Sequence, residues 1–128
     1  MISRLYAVVS WLLIALGAWH MALTPRLYHE LAMPALWFFS GGMLIALSAA
    51  MNLVNRAYGA TALGLRRTVI GANLAVALFA VFGGVVGRAP IWELAVILGL
   101  YAAIVILSCM PGAIRQGGMV PPKGPSPF

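Results

Sequence analysis

Few side chains in this sequence could do chemistry, and His20 stands apart because of its surroundings. It is the only Asp, Glu, Lys, Arg or His residue within positions 5–25, a run that is otherwise uncharged. An ionisable group inside a membrane span costs free energy and often serves a function, and an imidazole can hold a ligand or transfer a proton. The same ring could instead hydrogen-bond a neighbouring serine or carbonyl and only fix helix packing. The sequence leaves both interpretations of His20 open.

Arg26, His29, Glu30 and Glu93 join His20 as candidates for a ligand or proton site. All five are expected on the same side of the membrane, where they could form a polar mouth above the helices. Two histidines and a carboxylate are ligand types that zinc or copper accepts, but the spacing of His20 and His29 matches no metal signature. We therefore predict no metal site, and solvated loop residues are the plainer interpretation.

The segment between the first two apolar runs predicts a short helix at the membrane surface. It places Leu27, Tyr28 and Leu31 among charged residues, as an interfacial helix does. Arg26 and Glu30 are four residues apart, so their side chains would face each other on such a helix. We expect this helix to lie at the level of the lipid headgroups.

The sequence contains no arrangement typical of an enzyme. It has no nucleophile–base pair and no carboxylate pair, and its glycine pairs match no phosphate-binding motif. Cys109 is the single cysteine, which excludes an internal disulfide and a CxxC motif. A membrane haem usually takes two axial histidines on facing helices. Of the two histidines in this sequence, only His20 lies in an apolar run. We predict that the protein is not an enzyme, has no catalytic residues and has no cofactor.

The elements that must position these residues are long apolar helices. Apolar residues make up 63% of the 128 residues and charged residues only 8%, and the mean hydropathy is +1.01. A soluble domain has about 25% charged residues, so lipid must solvate much of this chain. Each uncharged run is long enough to cross a hydrocarbon core about 30 Å thick. The runs lie at 5–25, 31–55, 68–87 and 94–114.

These runs predict an all-α integral membrane protein, an antiparallel bundle of four transmembrane helices with short loops. The bundle is one domain, at 1–110, with spans at about 5–24, 34–55, 68–87 and 92–110. The first run continues through Trp19 to Leu23 without a polar cleavage region, which favours a span over a signal peptide. Residues 111–128 are rich in Pro and Gly, which predicts a flexible cytoplasmic tail.

The basic residues predict the orientation of the bundle. An even number of spans puts both termini and the middle loop on one side, which carries six of the eight basic residues: Arg4, Arg56, Arg66, Arg67, Arg115 and Lys123. On the other side, Arg26 and Arg88 are offset by Glu30 and Glu93. Cytoplasmic loops carry the excess of Lys and Arg, so both termini should be cytoplasmic, in a bacterial inner membrane. Near the opposite boundary, a belt of aromatic residues is expected from Trp19, Trp37 and Trp92.

Small and polar residues predict which face of each span packs against its neighbours, because helices in lipid associate through close packing and shared hydrogen bonds. In the first span these are Ser3, Tyr6, Ser10, Leu13, Gly17, His20 and Thr24. In the second they are Gly41, Ile45, Ser48, Asn52 and Asn55, and in the third Asn73, Ala77, Ala80, Gly84 and Gly87. In the fourth they are Trp92, Ala95, Gly99, Ala102, Ile106 and Cys109. Among these, we expect Ser48, Asn52 and Asn73 to hydrogen-bond between helices.

Three functions remain, and the sequence favours them in a definite order. The first is a non-enzymatic packing or interaction protein, or a subunit of a membrane complex, because small-residue faces and short loops dominate the chain. The second is a bundle that binds a small molecule or cofactor through His20, and the third is a small dimeric transporter. Partners would be the lipid bilayer and either a second copy or another membrane protein. Nucleic acid is not expected, because the basic residues form no continuous patch.

Overall fold

The computed structural model describes residues 1–30 and 32–114. This part of the chain forms four α-helices: α1 (Ile2–Leu27), α2 (Met33–Tyr58), α3 (Leu63–Gly87) and α4 (Ile91–Cys109). A single 3-10 turn, Pro111–Ala113, follows α4. All four α-helices are long and apolar enough to cross a membrane. Helices α1 to α3 also include arginines near their ends. A membrane helix can accommodate them there, because a long basic side chain can reach from the helix end toward the headgroups.

The link between α1 and α2 differs from the short surface helix expected there. Helix α1 passes through Pro25 and ends at Leu27, and Tyr28 is extended, with φ −125° and ψ 112°. Beyond the first turn, a proline removes one backbone hydrogen bond and crowds the carbonyl four residues earlier, so it favours the end of the helix soon after Pro25. Arg26 therefore belongs to the last turn of α1, while Glu30 lies in the link. The predicted interfacial helix, with these two side chains facing each other, is wrong.

Contacts between α1 and α2 show that these two helices run in opposite directions. Arg56, near the end of α2, donates a hydrogen bond from Nε to the carbonyl oxygen of Ser3, at 2.7 Å. Near the other end, the His20 ring stacks on the Phe38 ring, with centroids 4.7 Å apart. We call the end where α1 begins and α4 ends the terminus end, and the opposite end the groove end.

Helices α1 and α2 approach most closely where two glycines face each other. A Cβ atom built on Gly17 would lie 2.5 Å from the carbonyl oxygen of Gly42 and 2.7 Å from the backbone nitrogen of Ala46. A Cβ atom on Gly42 would lie 2.7 Å from the carbonyl oxygen of Gly17. Only hydrogen atoms fit between these backbones, and such close contact is how helices gain packing energy in lipid.

At the terminus end, α3 holds the last turn of α4. Arg66 donates hydrogen bonds to the carbonyl oxygens of Ser108 and Cys109, which have no partner within the helix. The guanidinium also places positive charge where the helix dipole is negative. After this turn, Ala113 and Ile114 are buried. The described start of the predicted tail, 111–114, thus includes a 3-10 turn and two buried residues, and its remainder, 115–128, lies outside the described residues.

The buried core joins all four helices, and it tests the predicted packing faces. On α1 and α2 the expected faces are buried, except that Ser3, His20 and Gly41 are partly buried. On the predicted face of α3, Asn73 is buried and Gly87 is exposed, and the residues between them, Ala77, Ala80 and Gly84, are partly buried. The prediction for α4 is wrong, because its six residues are all exposed. The buried residues of α4 are Ile97, Tyr101, Ile104, Leu107 and Ser108.

Candidate functional site

A groove of about 780 Å³ lies at the groove end, between α2, α3 and the start of α4. We call it the lateral groove. Its wall includes Trp37, Phe38, Gly41, Phe79 and Glu93, and most of the other residues that line it are apolar. Several of its wall residues are exposed on the outside of the helices, including Trp37. The groove is therefore accessible from the side, where lipid would lie.

Glycines create the space in the groove. A Cβ atom on Gly41 of α2 would meet only the ring of Phe79 on α3, at 3.8 Å. On α3, a Cβ atom on Gly83 or Gly87 would have no neighbour within 4 Å. Since glycine has no side chain, these positions leave a gap where larger residues would have filled the contact between the helices.

Aromatic rings form much of the groove wall. The rings of Trp37 on α2 and Phe79 on α3 have centroids 6.1 Å apart and planes inclined by 25°. The ring of Tyr28 approaches that of Phe38, with centroids 5.9 Å apart. Such pairs pack favourably beyond the area that they bury, so they can hold the wall in place while one ring face stays accessible.

One polar pair interrupts this apolar wall. Nε2 of His20 lies 3.5 Å from Oε1 of Glu93, and the two side chains are 12% and 30% exposed. Glu93 belongs to the first turn of α4, where the helix dipole favours a carboxylate. The contact is an ion pair only when His20 is protonated, and its length exceeds that of a good hydrogen bond. Nδ1 of His20 is buried and has no hydrogen-bond partner in the described residues.

The other candidates from the sequence are not part of this arrangement. The structure brings His20 and Glu93 together, whereas Arg26, His29 and Glu30 are exposed and do not line the groove. Within residues 1–30 and 32–114, no three metal-ligating side chains come together. His20 and Glu93 alone supply two ligands, one fewer than catalytic zinc sites use.

The three polar residues expected between helices lie toward the terminus end, buried in a hydrogen-bonded network. Asn52 and Asn73 exchange two amide hydrogen bonds, of 2.8 and 2.9 Å, which join α2 to α3. Asn52 also donates to the carbonyl oxygen of Ser48, at 2.7 Å. The two asparagines are fully buried. Each amide therefore finds partners that lipid could not provide.

Two tyrosines that the sequence did not single out for this role extend the network to all four helices. The hydroxyl of Tyr6 on α1 donates to Oδ1 of Asn52, at 2.7 Å, and accepts from Nδ2 of Asn55, at 2.9 Å. The hydroxyl of Tyr101 on α4 lies 2.7 Å from Oγ of Ser48. A tyrosine within an apolar run is the sequence signal for such a contact, because a buried hydroxyl usually finds a partner.

Comparison with known proteins identifies no relative. No protein-family model matches the chain, and no curated protein or solved structure matches it significantly. The candidate site must therefore be interpreted from its own geometry.

Proposed function

We propose that this protein is a non-enzymatic, multi-pass membrane protein that binds a small, mainly apolar molecule in the lateral groove. In this proposal the four helices form an antiparallel bundle in a bacterial inner membrane, with both termini in the cytoplasm. The excess of basic residues at the terminus end supports that orientation. The lateral groove then lies in the half of the bundle nearer the periplasm.

The observation that carries this proposal is a groove of ligand size with one polar pair on its wall. Sites for small molecules usually have volumes of about 300–1,000 Å³ and mainly apolar walls with a few polar groups. The lateral groove has about 780 Å³, and His20 and Glu93 lie on its wall. A contact that only packed helices together would be filled by side chains. The groove therefore favours binding over the packing role that the sequence ranks first.

The residues on the groove wall favour binding over catalysis. Among the described residues, the wall contains no serine, threonine, cysteine or lysine that could attack a substrate. His20 is stacked against Phe38, so its ring has a fixed position beside the groove. In the proposal, His20 and Glu93 orient a polar group of the ligand, and the aromatic rings cover its apolar part.

The test compares two Gly→Leu variants of the full chain. Gly41→Leu places a side chain in the lateral groove, because a Cβ atom on Gly41 would meet only the ring of Phe79, at 3.8 Å. Gly99→Leu is the matched control, because a Cβ atom there meets nothing within 4 Å and the position does not line the groove. Each protein is transferred from its own membranes into lipid nanodiscs, and native mass spectrometry and absorbance detect a retained molecule.

We expect the wild type and Gly99→Leu to retain the same molecule and Gly41→Leu to lose it. The added leucine would occupy the space that the ligand needs, while both variants keep a good helix former at the substituted position. Equal retention by Gly41→Leu, or no retained molecule in the wild type, would contradict the proposal.

A packing role remains the second candidate because of exposed glycines elsewhere on the surface. Gly71 on α3 is exposed, and a Cβ atom there would meet nothing within 4 Å. Glycines allow close approach of a second helix in lipid. Under this alternative, chemical crosslinking in native membranes captures a second copy or another membrane protein, and Gly71→Leu removes that product. Recovery of monomer alone would argue against it.

A further inference from the structure

The charge of the lateral groove indicates which ligands it can hold. Glu93 is the only carboxylate on the wall among the described residues, and no Arg or Lys lines it there. The one ion-pair contact of Glu93 in this part of the chain is with His20, which balances the charge only when its ring is protonated. A carboxylate that is 30% exposed beside an apolar wall has lost much of its water, so a cation there would be stabilised.

The aromatic rings of the wall add a second attraction for a cation. Trp37, Phe38 and Phe79 surround the same space as Glu93, and Trp37 is 58% exposed. The face of an aromatic ring is electrically negative, and cations bind over it, most strongly over tryptophan. Carboxylate and ring faces therefore favour the same sign of charge.

The size of the groove separates organic from inorganic cations. Inorganic ions need several oxygen ligands at about 2.0–2.6 Å, and Glu93 is the single carboxylate on a wall that is otherwise mainly apolar. A space of about 780 Å³ suits a molecule with bulky apolar groups. Burial of those groups beside aromatic side chains would supply most of the binding energy.

We infer that the ligand of the lateral groove is an organic cation with apolar substituents, and that Glu93 is its counter-ion. This inference rests on the proposed function and adds the chemical class of the ligand. Such a molecule partitions into the membrane and enters the groove from the side. Its charged centre lies near the first turn of α4, and its apolar groups lie between α2 and α3.

The experiment uses two probe ions that differ mainly in charge. Tetraphenylphosphonium and tetraphenylborate carry the same four phenyl groups around a central atom, with opposite charges. Binding of each to the full chain in phosphatidylcholine nanodiscs is measured by equilibrium dialysis and corrected for partition into empty nanodiscs. We expect the phosphonium to bind at least about tenfold more tightly than the borate, because Glu93 attracts one and repels the other.

Three variants assign the effect to the groove. Glu93→Gln should weaken phosphonium binding by about tenfold and remove most of the preference between the ions. Glu30→Gln is the matched control, since Glu30 is exposed at the same end and does not line the groove; its binding should equal that of the wild type. Gly41→Leu should abolish binding of both ions. Thermal unfolding of each variant verifies that it is folded.

The outcomes distinguish failure of the ligand class from failure of the proposed function. Equal binding of the two ions, or phosphonium binding that Glu93→Gln leaves unchanged, would overturn the cation assignment while the groove remained a binding site. Binding that persists in Gly41→Leu would place the probes elsewhere and would also overturn it. No binding of either ion, combined with no molecule retained by the wild type in native mass spectrometry, would overturn the proposed function itself.

Discussion

Polar side chains inside the helix assembly are hydrogen-bonded more extensively toward the terminus end than at the groove end. Toward the terminus end, Asn52 and Asn73 exchange two hydrogen bonds, and the Tyr6 hydroxyl both donates and accepts. At the groove end, His20 and Glu93 meet at 3.5 Å, and Nδ1 of His20 has no partner in the described residues. Each end has one buried polar atom without a partner in the described residues, Oδ1 of Asn55 at the first and Nδ1 of His20 at the second. The ends differ because hydrogen bonds join four helices at the first, whereas the second is open along one side.

This difference between the two ends indicates that the network resists movement of the helices, whereas side chains beside the groove can move more easily. Lipid offers no hydrogen bonds, so the bonds that join Asn52, Asn73 and Tyr6 across the helices resist any shift that would break them and can fix how the helices align. A loosely paired group beside a groove can change partners at lower cost. We therefore expect helix alignment to depend on the network and, under the proposed function, ligand binding to depend on the lateral groove. Substitutions at the two ends should consequently affect different measurements.

The largest effect is expected where both regions depend on one contact. Gly17→Leu would force a side chain against the backbone of Ala46 and Gly42, so α1 and α2 would have to separate. We expect a loss of about 3 kcal/mol or more in the free energy of unfolding, and loss of ligand binding with it. Reversible unfolding in mixed detergent micelles measures the free energy of unfolding. Gly99→Leu is the control, and wild-type stability in Gly17→Leu would refute the close contact.

Breaking the network should lower stability and spare the groove. Asn52→Leu leaves the Asn73 amide without its partner in a fully buried position. We expect a loss of about 2 kcal/mol in the free energy of unfolding, since an unpaired buried polar group costs about 1–3 kcal/mol. The double variant with Asn73→Leu should be less destabilised than the sum of the two single variants. Additive losses would mean that the two amides act independently.

Changing the groove wall should weaken ligand binding and leave the free energy of unfolding almost unchanged. Trp37→Leu removes a ring that is 58% exposed, so the free energy of unfolding should change by less than about 0.5 kcal/mol. Phosphonium binding should weaken by about two- to fivefold, as expected for loss of one exposed cation–ring contact. Trp92→Leu is the matched control, because Trp92 is exposed at the same end and does not line the groove. Equal losses of binding in both variants would count against the groove.

The smallest effect sharpens the assignment of the network. Tyr101→Phe removes the hydroxyl that lies 2.7 Å from Oγ of Ser48 and keeps the ring. Interhelical hydrogen bonds in membranes contribute about 0.6 kcal/mol on average, which is the loss expected here. Tyr58→Phe, at an exposed tyrosine, should cost nothing measurable. A Tyr101→Phe protein as stable as the wild type would remove α4 from the energetically coupled network.

The sequence predicts the helices and two of the packing faces because each depends on local pattern. Four apolar runs predict four helices, and the described part of the chain has four helices long and apolar enough to span a membrane. On α1, polar and small residues recur every three or four positions, so one face could be recognised. Tyr6, Ser10 and Gly17 lie on that face and are buried.

The face of α4 and the lateral groove could not be predicted, because both depend on how helices are arranged in space. Small size predicts a packing face on α4 that includes Gly99, but Gly99 is exposed, and the bulkier Tyr101 and Ile104 are buried. The contact between His20 and Glu93 joins residues 73 positions apart in the chain. No local spacing encodes such a contact.

The unequal helix lengths set a requirement on the surrounding membrane. Helix α4 has 19 residues and a length of about 28 Å, whereas α1 has 26 residues and a length of about 39 Å. In a bilayer with a hydrocarbon core about 30 Å thick, α4 fits only when nearly upright, and α1 must tilt or project. Lipids beside α4 should therefore be compressed. The lateral groove adjoins the start of this helix, so a molecule would enter it from a locally thinned membrane.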